Sequence, residues 1–303
     1  MTKTIQDALG DTTLYPLWLD HPAAPAPEPP LIGRTEADLL IVGGGFTGLW
    51  AALQAKEAAP ERDVVLIEAQ RVAIGASGRP GGIVSTSVMH GLGNAARIFP
   101  NDIDTLEQLG HDNMQGFQET LERHDIDADI EWNGEITVAV EQAHLPQLEE
   151  ELELHRKHNY DVVYLNREEV QAEVASPLYQ GGVWSRSRSG IVHPAKLAWG
   201  LRRAAMALGV RLHEYSPLTD LHCHGAAMIA RTHDGEVRAN KVLLATNAFG
   251  AGERRIMQRV AAIRDRVIAT EPLSDEQLGR LGWQNRQGIY DTRTQLNYTR
   301  LTR

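Results

Sequence analysis

Cysteine is almost missing from this chain of 303 residues: Cys223 stands alone, so no intramolecular disulfide can form, and a reducing compartment is the simplest home. An apolar signal core is missing from the opening "MTKTIQDALGD", which also makes the cytoplasm the expected location. Positive charge is in deficit, with 30 Lys and Arg against 40 Asp and Glu and a formal net charge of −10. A nucleic-acid groove normally needs a basic face, so nucleic acid is not an expected partner. No G-x-S-x-G elbow, Walker loop or H-E-x-x-H helix occurs, so none of those chemistries is signalled. One long uncharged run is present, from Leu39 to Ala55. Its length can span a bilayer, but Gly43, Gly44 and Gly45 at its centre each cost a helix about 1 kcal/mol. Neither a Lys/Arg cluster nor an aromatic belt flanks it. The run reads as strand, turn and helix, and no transmembrane segment is expected.

Along the chain, residues 1–35 read as an arm, because "HPAAPAPEPP" (His21–Pro30) favours an extended polyproline-like path. The arm is expected to drape over the surface, and removing residues 1–12 is expected to leave the thermal midpoint almost unchanged. A strand at Asp38–Val42, a helix from about Phe46 to Ala59 and a strand at Asp63–Ala69 form a βαβ unit. Ile103, Leu106, Leu109, Met114, Phe117 and Leu121 predict one buried helix face. Asn133-Gly134 between the alternating residues of Asp129–Val140 predicts a type I′ hairpin. A helix over Leu145–Lys157 and a strand over Val162–Leu165 follow, then a capping box at Asn166 and Glu169. Pro194 and Gly209 bracket another helix. Strands return in "VRLHEY", in Leu218–Leu221 and in Lys241–Thr246, with a turn at Asp234-Gly235. The expected class is α/β: a Rossmann-like βαβ domain interleaved with an antiparallel-sheet, α+β substrate domain. The first takes residues 36–126 and 190–262, the second 127–189 and 263–303.

Gly43, Gly45 and Gly48 fit G-x-G-x-x-G between a strand and a helix. The first glycine makes the tight turn, the second admits a pyrophosphate to the backbone, and the third lets helix and strand pack closely. Glu68 ends the second strand 20 residues after Gly48, where a carboxylate can accept ribose hydroxyls and disfavours a 2′-phosphate. A dinucleotide other than NADP is the expected ligand. "GASGRPGG" (Gly75–Gly82) is a second glycine-rich loop able to bring backbone N–H groups to a flat or anionic ligand. A flexible linker is its plainer reading.

These residues resemble a known family. "IVGGGFTGL", "IEA" and "GASGRPGG" resemble the D-amino-acid oxidase-like group of FAD-dependent oxidoreductases. "SGIVHPAKLAWGL" (Ser189–Leu201), "LATNAF" and "YTRLTR" look most like its γ-glutamylputrescine oxidoreductase branch. The resemblance implies FAD, with Gly43, Gly45, Phe46, Thr47 and Gly48 at the phosphates and Glu68, followed by Ala69, at the AMP ribose. It puts Ala76, Ser77 and Arg79 along the pyrophosphate and flavin, Gly81, Gly82 and Ile83 at the ring, and Thr246 and Asn247 where a strand end closes over the cofactor. Pro80 departs from the family loop, which usually has asparagine there, and it removes one N–H. The implied reaction is oxidation of an amine or amino-acid C–N bond by hydride transfer to flavin, reoxidised by O2 or another acceptor. The partner is a small-molecule amine, self-association stays open, and no catalytic residue or metal ligand is named. The alternatives are an NAD-dependent dehydrogenase and a truncated, catalytically incompetent flavin-fold protein.

Other motifs carry plainer expectations. His222 and His224 share a strand face but lack further zinc ligands, and His193 reads as a histidine bonded at a helix entry. "SRSRSG" (Ser185–Gly190) reads as one exposed strand face, and "EEELELHRKH" (Glu149–His158) as a solvated, dipole-matched helix. The chain ends in "QLNYTRLTR", which reads as strand. It is therefore expected to be incomplete as an enzyme and to expose an apolar edge near Ile289–Leu296: the resemblance implies a longer chain with a second ring-side glycine segment, and nothing after Lys241, "GAGERR" (Gly250–Arg255) included, replaces it.

Overall fold

The hydrophobic run after Asp38 becomes a strand because β-branched and aliphatic residues alternate into two covered faces. In this computed structural model, which describes residues 13, 15–252, 258–263 and 265–303, β1 spans Gly33–Val42, α1 Phe46–Ala58 and β2 Val64–Ile67. β3 (Ile83–Ser85), α2 (Leu92–Ile98), α3 (Ile103–Arg123) and β4 (Glu135–Ala139) follow, then α4 (Leu145–Lys157), β5 (Val162–Leu165) and α5 (Arg167–Glu173). Next come β6 (Gly181–Ser185), β7 (Ser189–Ile191), α6 (Pro194–Ala207), β8 (Arg211–His213), β9 (Asp220–His224), β10 (Ala227–Arg231) and β11 (Gly235–Leu244). The last elements are α7 (Asp275–Leu281), β12 (Gly288–Asp291) and β13 (Tyr298–Thr299). Among the described residues no helix is long and apolar enough to cross a membrane. The expectations for residues 1–12 and 253–255 lie outside the described residues.

The chain divides into two units, Met1–Arg79 with Ala198–Asp265, and Pro80–Leu197 with Arg266–Arg303. In the first unit the sheet order is β8-β2-β1-β11-β10-β9. β8, β2, β1 and β11 are parallel, and β10 and β9 add an antiparallel edge. Parallel β1 and β2 need the α1 crossover, which is the predicted βαβ unit. Leu40, Val42, Val65, Ile67, Val237 and Ala239 form one of its cores. The described part of the arm is docked: Trp18, Leu19 and Leu31 are buried. Leu31 N donates to Ser216 Oγ at 2.8 Å, and Arg202 holds Glu28 at 2.5 Å.

In the second unit the order is β13-β12-β4-β6-β5, with β3-β7 as a separate pair. The five-stranded sheet is antiparallel except at β12-β4. Residues 80–126 and 190–197, which the sequence places with the glycine-turn domain, fall in this unit, where β3 pairs with β7, Glu107 of α3 pairs with Arg188 and α3 lies against Thr86 through Gly110. Five local expectations differ from the structure. Asn133-Gly134 makes a corner, not a hairpin: Gly134 alone of the two has positive φ, a type I′ turn needs both, and Glu131 pairs instead with Ile191. "SRSRSG" runs from the end of β6 through a turn at residues 186–188, where Arg188 has φ 74°, into β7, where Ser189 and Gly190 are buried. Leu109 is 53% exposed, since α3 approaches through Gly110. The strand expected at Leu218–Leu221 starts two residues later, at Asp220. Ile289 lies in an interior strand, because β13 and β4 both pair with β12.

Candidate functional site

β1 delivers Val42 to a turn that only glycine can make at two points. Gly43 has φ 114°, and its N–H donates to Ile67 O at 2.8 Å. A Cβ there would sit 2.5 Å from Ala245 O, and a Cβ on Gly48 would overlap the Gly43 carbonyl oxygen. Gly45 is different. Its Cβ would meet only the Ser77 hydroxyl, at 2.9 Å, so this glycine keeps space open rather than relieving strain. α1 then begins at Phe46 with Gly45 as an N-cap that has no side chain. The first amides of a helix lack intrahelical acceptors and stand at the positive end of its dipole. Ser77 Oγ accepts from Phe46 N at 2.9 Å, no acidic residue occupies the first turn, and Thr47 and Gly48 place their N–H groups on the same end. This is an anion cradle.

Glu68 leaves β2 beside that cradle. Its carboxylate accepts from Gly44 N at 2.7 Å and Gln70 N at 3.0 Å, and two ionised oxygens keep further lone pairs for hydroxyl donors. Ala69 and Ala76 are exposed, and Gly78 is buried. Ser77 lies in the single 3-10 turn Ala76–Gly78. Arg79 curls back to donate from Nε to Ile74 O at 3.0 Å. Ala245 N donates to Val42 O at 2.8 Å, so Thr246 emerges next to the Gly43 turn, and Asn247, with φ 50°, opens the following 3-10 segment. The first unit thus brings together Gly43, Gly45, Phe46, Thr47, Gly48, Glu68, Ser77 and Thr246.

Gly81, Gly82 and Ile83 belong to the second unit. Ile83 pairs with Ile191. A Cβ on Gly81 would overlap the Tyr298 ring, and one on Gly82 would meet the Val192 carbonyl and the Arg300 guanidinium. Tyr298 in β13 and Arg300 just after it thus both reach the Gly81–Gly82 turn. Neither was singled out as a site residue, although both stand in "YTRLTR". Arg300 Nη1 donates to Val192 O at 2.6 Å and Gly81 O at 3.3 Å. Burial brings its guanidinium down to about 10, which leaves it charged at neutral pH.

Other titratable groups in the second unit have structural partners. His193 Nδ1 accepts from Lys196 N at 3.2 Å at the start of α6. Lys196 pairs with Asp129 at 2.8 Å, and burial of Asp129 is outweighed by Lys196, so its carboxyl sits below its ordinary value. Arg188 pairs with Glu107 at 2.5 Å and lies over the Tyr160 ring at 3.7 Å. Glu151, on the helix expected to face only solvent, instead accepts from Thr137 Oγ1 at 3.2 Å. Burial and then the neighbouring Glu151 push Glu135 up to about 7, and burial raises Glu151 as well. In the first unit Cys223 is exposed and His222 pairs with Asp220 at 2.8 Å. Among the described residues no group of three His, Cys, Asp or Glu side chains is arranged to hold a metal.

Comparison with known proteins bears on the family of the chain. The family described as DAO, FAD dependent oxidoreductase, matches residues 38–303. "Gamma-glutamylputrescine oxidoreductase" of Escherichia coli (strain K12) is 34% identical over 271 residues, covering 88% of this chain and 62% of that protein. "Probable oxidoreductase OrdL" of Haemophilus influenzae is 30% identical over 283 residues, covering 90% and 64%. The chain therefore spans less than two thirds of the length of either relative. Glycine oxidase from Geobacillus kaustophilus shares the fold with a TM-score of 0.61 at 22% identity, over 71% of this chain and 56% of that one. L-proline dehydrogenase from P. horikoshii gives 0.60 at 15% identity, over 88% and 65%.

Proposed function

Because the chain belongs to the FAD-dependent oxidoreductase family over residues 38–303, we propose that it oxidises the C–N bond of an amine or amino acid by hydride transfer to FAD, with O2 or another acceptor completing the cycle. The Gly43–Gly48 turn carries this reading, since its open space and the Thr47 and Gly48 amides at the helix end fit a pyrophosphate and Glu68 stands beside it for ribose hydroxyls. Ser77 accepts from Phe46 N and so keeps its own O–H to donate to a phosphate oxygen. Arg79, with only Nε engaged in its own loop, keeps the ends of its fork for the same group. Phe46, Ala69 and Ala76 supply the walls, Thr246 and Asn247 the closing strand end, and Gly81, Gly82 and Ile83 the ring-side backbone. The protein's part in the chemistry is to orient the amine and exclude water. The names of the relatives support an amine or amino acid as substrate, and the lone exposed thiol of Cys223 suits the cytoplasm.

Purified protein is expected to be yellow, and heat is expected to release FAD on chromatography; release of NAD instead would favour a nicotinamide-dependent dehydrogenase. Anaerobic mixing with a panel of amines and amino acids is expected to bleach the flavin. Bleaching by a 2-hydroxy acid and by no amine would overturn the substrate class.

A further inference from the structure

The β3-β7 pair is irregular at its entrance. Ile83 faces Ile191 as a non-hydrogen-bonded pair, so a regular antiparallel ladder places Gly82 and Val192 next as a pair exchanging two bonds. One of those bonds is present: Val192 N donates to Gly82 O at 2.8 Å. The return bond from Gly82 N to Val192 O is not made. Its acceptor is taken by Arg300 Nη1 at 2.6 Å, and Gly82 has φ 77°, a conformation that turns its amide out of the ladder. The same guanidinium nitrogen also holds Gly81 O at 3.3 Å. The peptide is trans, so fixing the Gly81 carbonyl toward Arg300 directs the Gly82 N–H the opposite way. The second guanidinium contact, Nε to Leu301 O at 3.1 Å, holds the arginine to the segment that follows β13.

We propose that Arg300 is a positioning residue that replaces the Gly82 amide in the β3-β7 ladder and so frees that N–H to donate to an electron-rich ligand atom. The identity of that atom as part of the flavin ring rests on the assignment of Gly81, Gly82 and Ile83 to the cofactor proposed above. An arginine suits the task because its fork bonds several carbonyls at once and stays charged when desolvated. A lysine can satisfy Val192 O but not hold all three carbonyls in one plane.

The test uses the full chain, isotope-labelled, with and without FAD. In the cofactor-free wild type the Gly82 amide proton is expected upfield with a steep temperature coefficient, as for an amide with no acceptor, and it moves downfield when FAD is added. Arg300→Met is expected to weaken FAD by about tenfold, the size of one lost hydrogen bond, and to alter the flavin's visible band; Arg300→Lys restores part of both. A Gly82 amide already bonded in the cofactor-free chain, or an Arg300→Met protein with unchanged affinity and band, would overturn the inference. Should the wild type take up no FAD, the functional reading fails, and the shift of the cofactor-free Gly82 amide alone decides the role of Arg300. Should Arg300→Met lose its far-ultraviolet dichroism, the wild-type amide shift again decides.

Discussion

Single atoms decide most of what the cradle can do. Gly48→Ala would drive a methyl into the Gly43 carbonyl, backbone against backbone, so a loss of about 1–3 kcal/mol is expected, the usual cost of overpacking. Gly45→Ala meets only a side-chain hydroxyl, which can rotate, so its stability is expected to change by less than about 1 kcal/mol. It fills the space left for the ligand, however, and FAD binding is expected to fall. Urea denaturation beside FAD titration separates the two effects. Equal destabilisation by both variants would mean that Gly45 is structural. Glu68→Arg removes the acceptor for Gly44 N and Gln70 N and sets a cation where ribose hydroxyls are expected. Its FAD affinity should drop by more than tenfold, at about 1.4 kcal/mol per tenfold.

Elements show where sequence patterns suffice and where they do not. The α4 boundaries and the start of α5 at the Asn166–Glu169 capping box were readable because capping and periodicity are local. The βαβ unit was readable because a parallel pair permits few connections. Asn133-Gly134 misled because turn chemistry cannot reveal that Glu131 finds Ile191 across the unit. Leu109 misled because periodicity treats Gly110 as neutral, whereas the glycine is the contact; Gly110→Ala is expected to cost about 1–3 kcal/mol, and Leu109→Ala, half in solvent, under about 0.5 kcal/mol. The site glycines were legible from spacing, but Tyr298 and Arg300 act through packing with Gly81, Gly82 and Val192, which lie 108 or more positions away in the chain. The contact of α4 with its sheet also makes a pH prediction. Glu135 rises from its ordinary 4.5 to about 7 through burial and then Glu151, with Tyr290 on β12, Thr137 on β4 and His155 on α4 around the two carboxyls. A value raised in the folded state means that stability is fully present below 4.5 and is lost as pH climbs through 7. Glu135→Gln should flatten that slope and leave the protein about 2 kcal/mol more stable than wild type at pH 8. Parallel slopes for wild type and variant between pH 5 and 8 would contradict the coupling.

At the scale of the whole molecule, a strongly anionic protein must receive an anionic cofactor. The net charge is −10, while the cradle offers backbone amides, the Ser77 hydroxyl and Arg79 to a pyrophosphate. At distances beyond the site the summed negative field repels the incoming phosphates. Within it, the amides and helix end act over a few ångströms, where salt screens little. Raising ionic strength from about 0.01 M to 0.15 M shortens the Debye length from about 30 Å to 8 Å, which removes the distant repulsion and leaves the near attraction. FAD association should therefore speed up severalfold over that range while its dissociation rate changes little. Stopped-flow quenching of flavin fluorescence on mixing with cofactor-free protein reads both rates. If salt instead slows association, a local positive potential dominates the approach, and the argument from net charge fails.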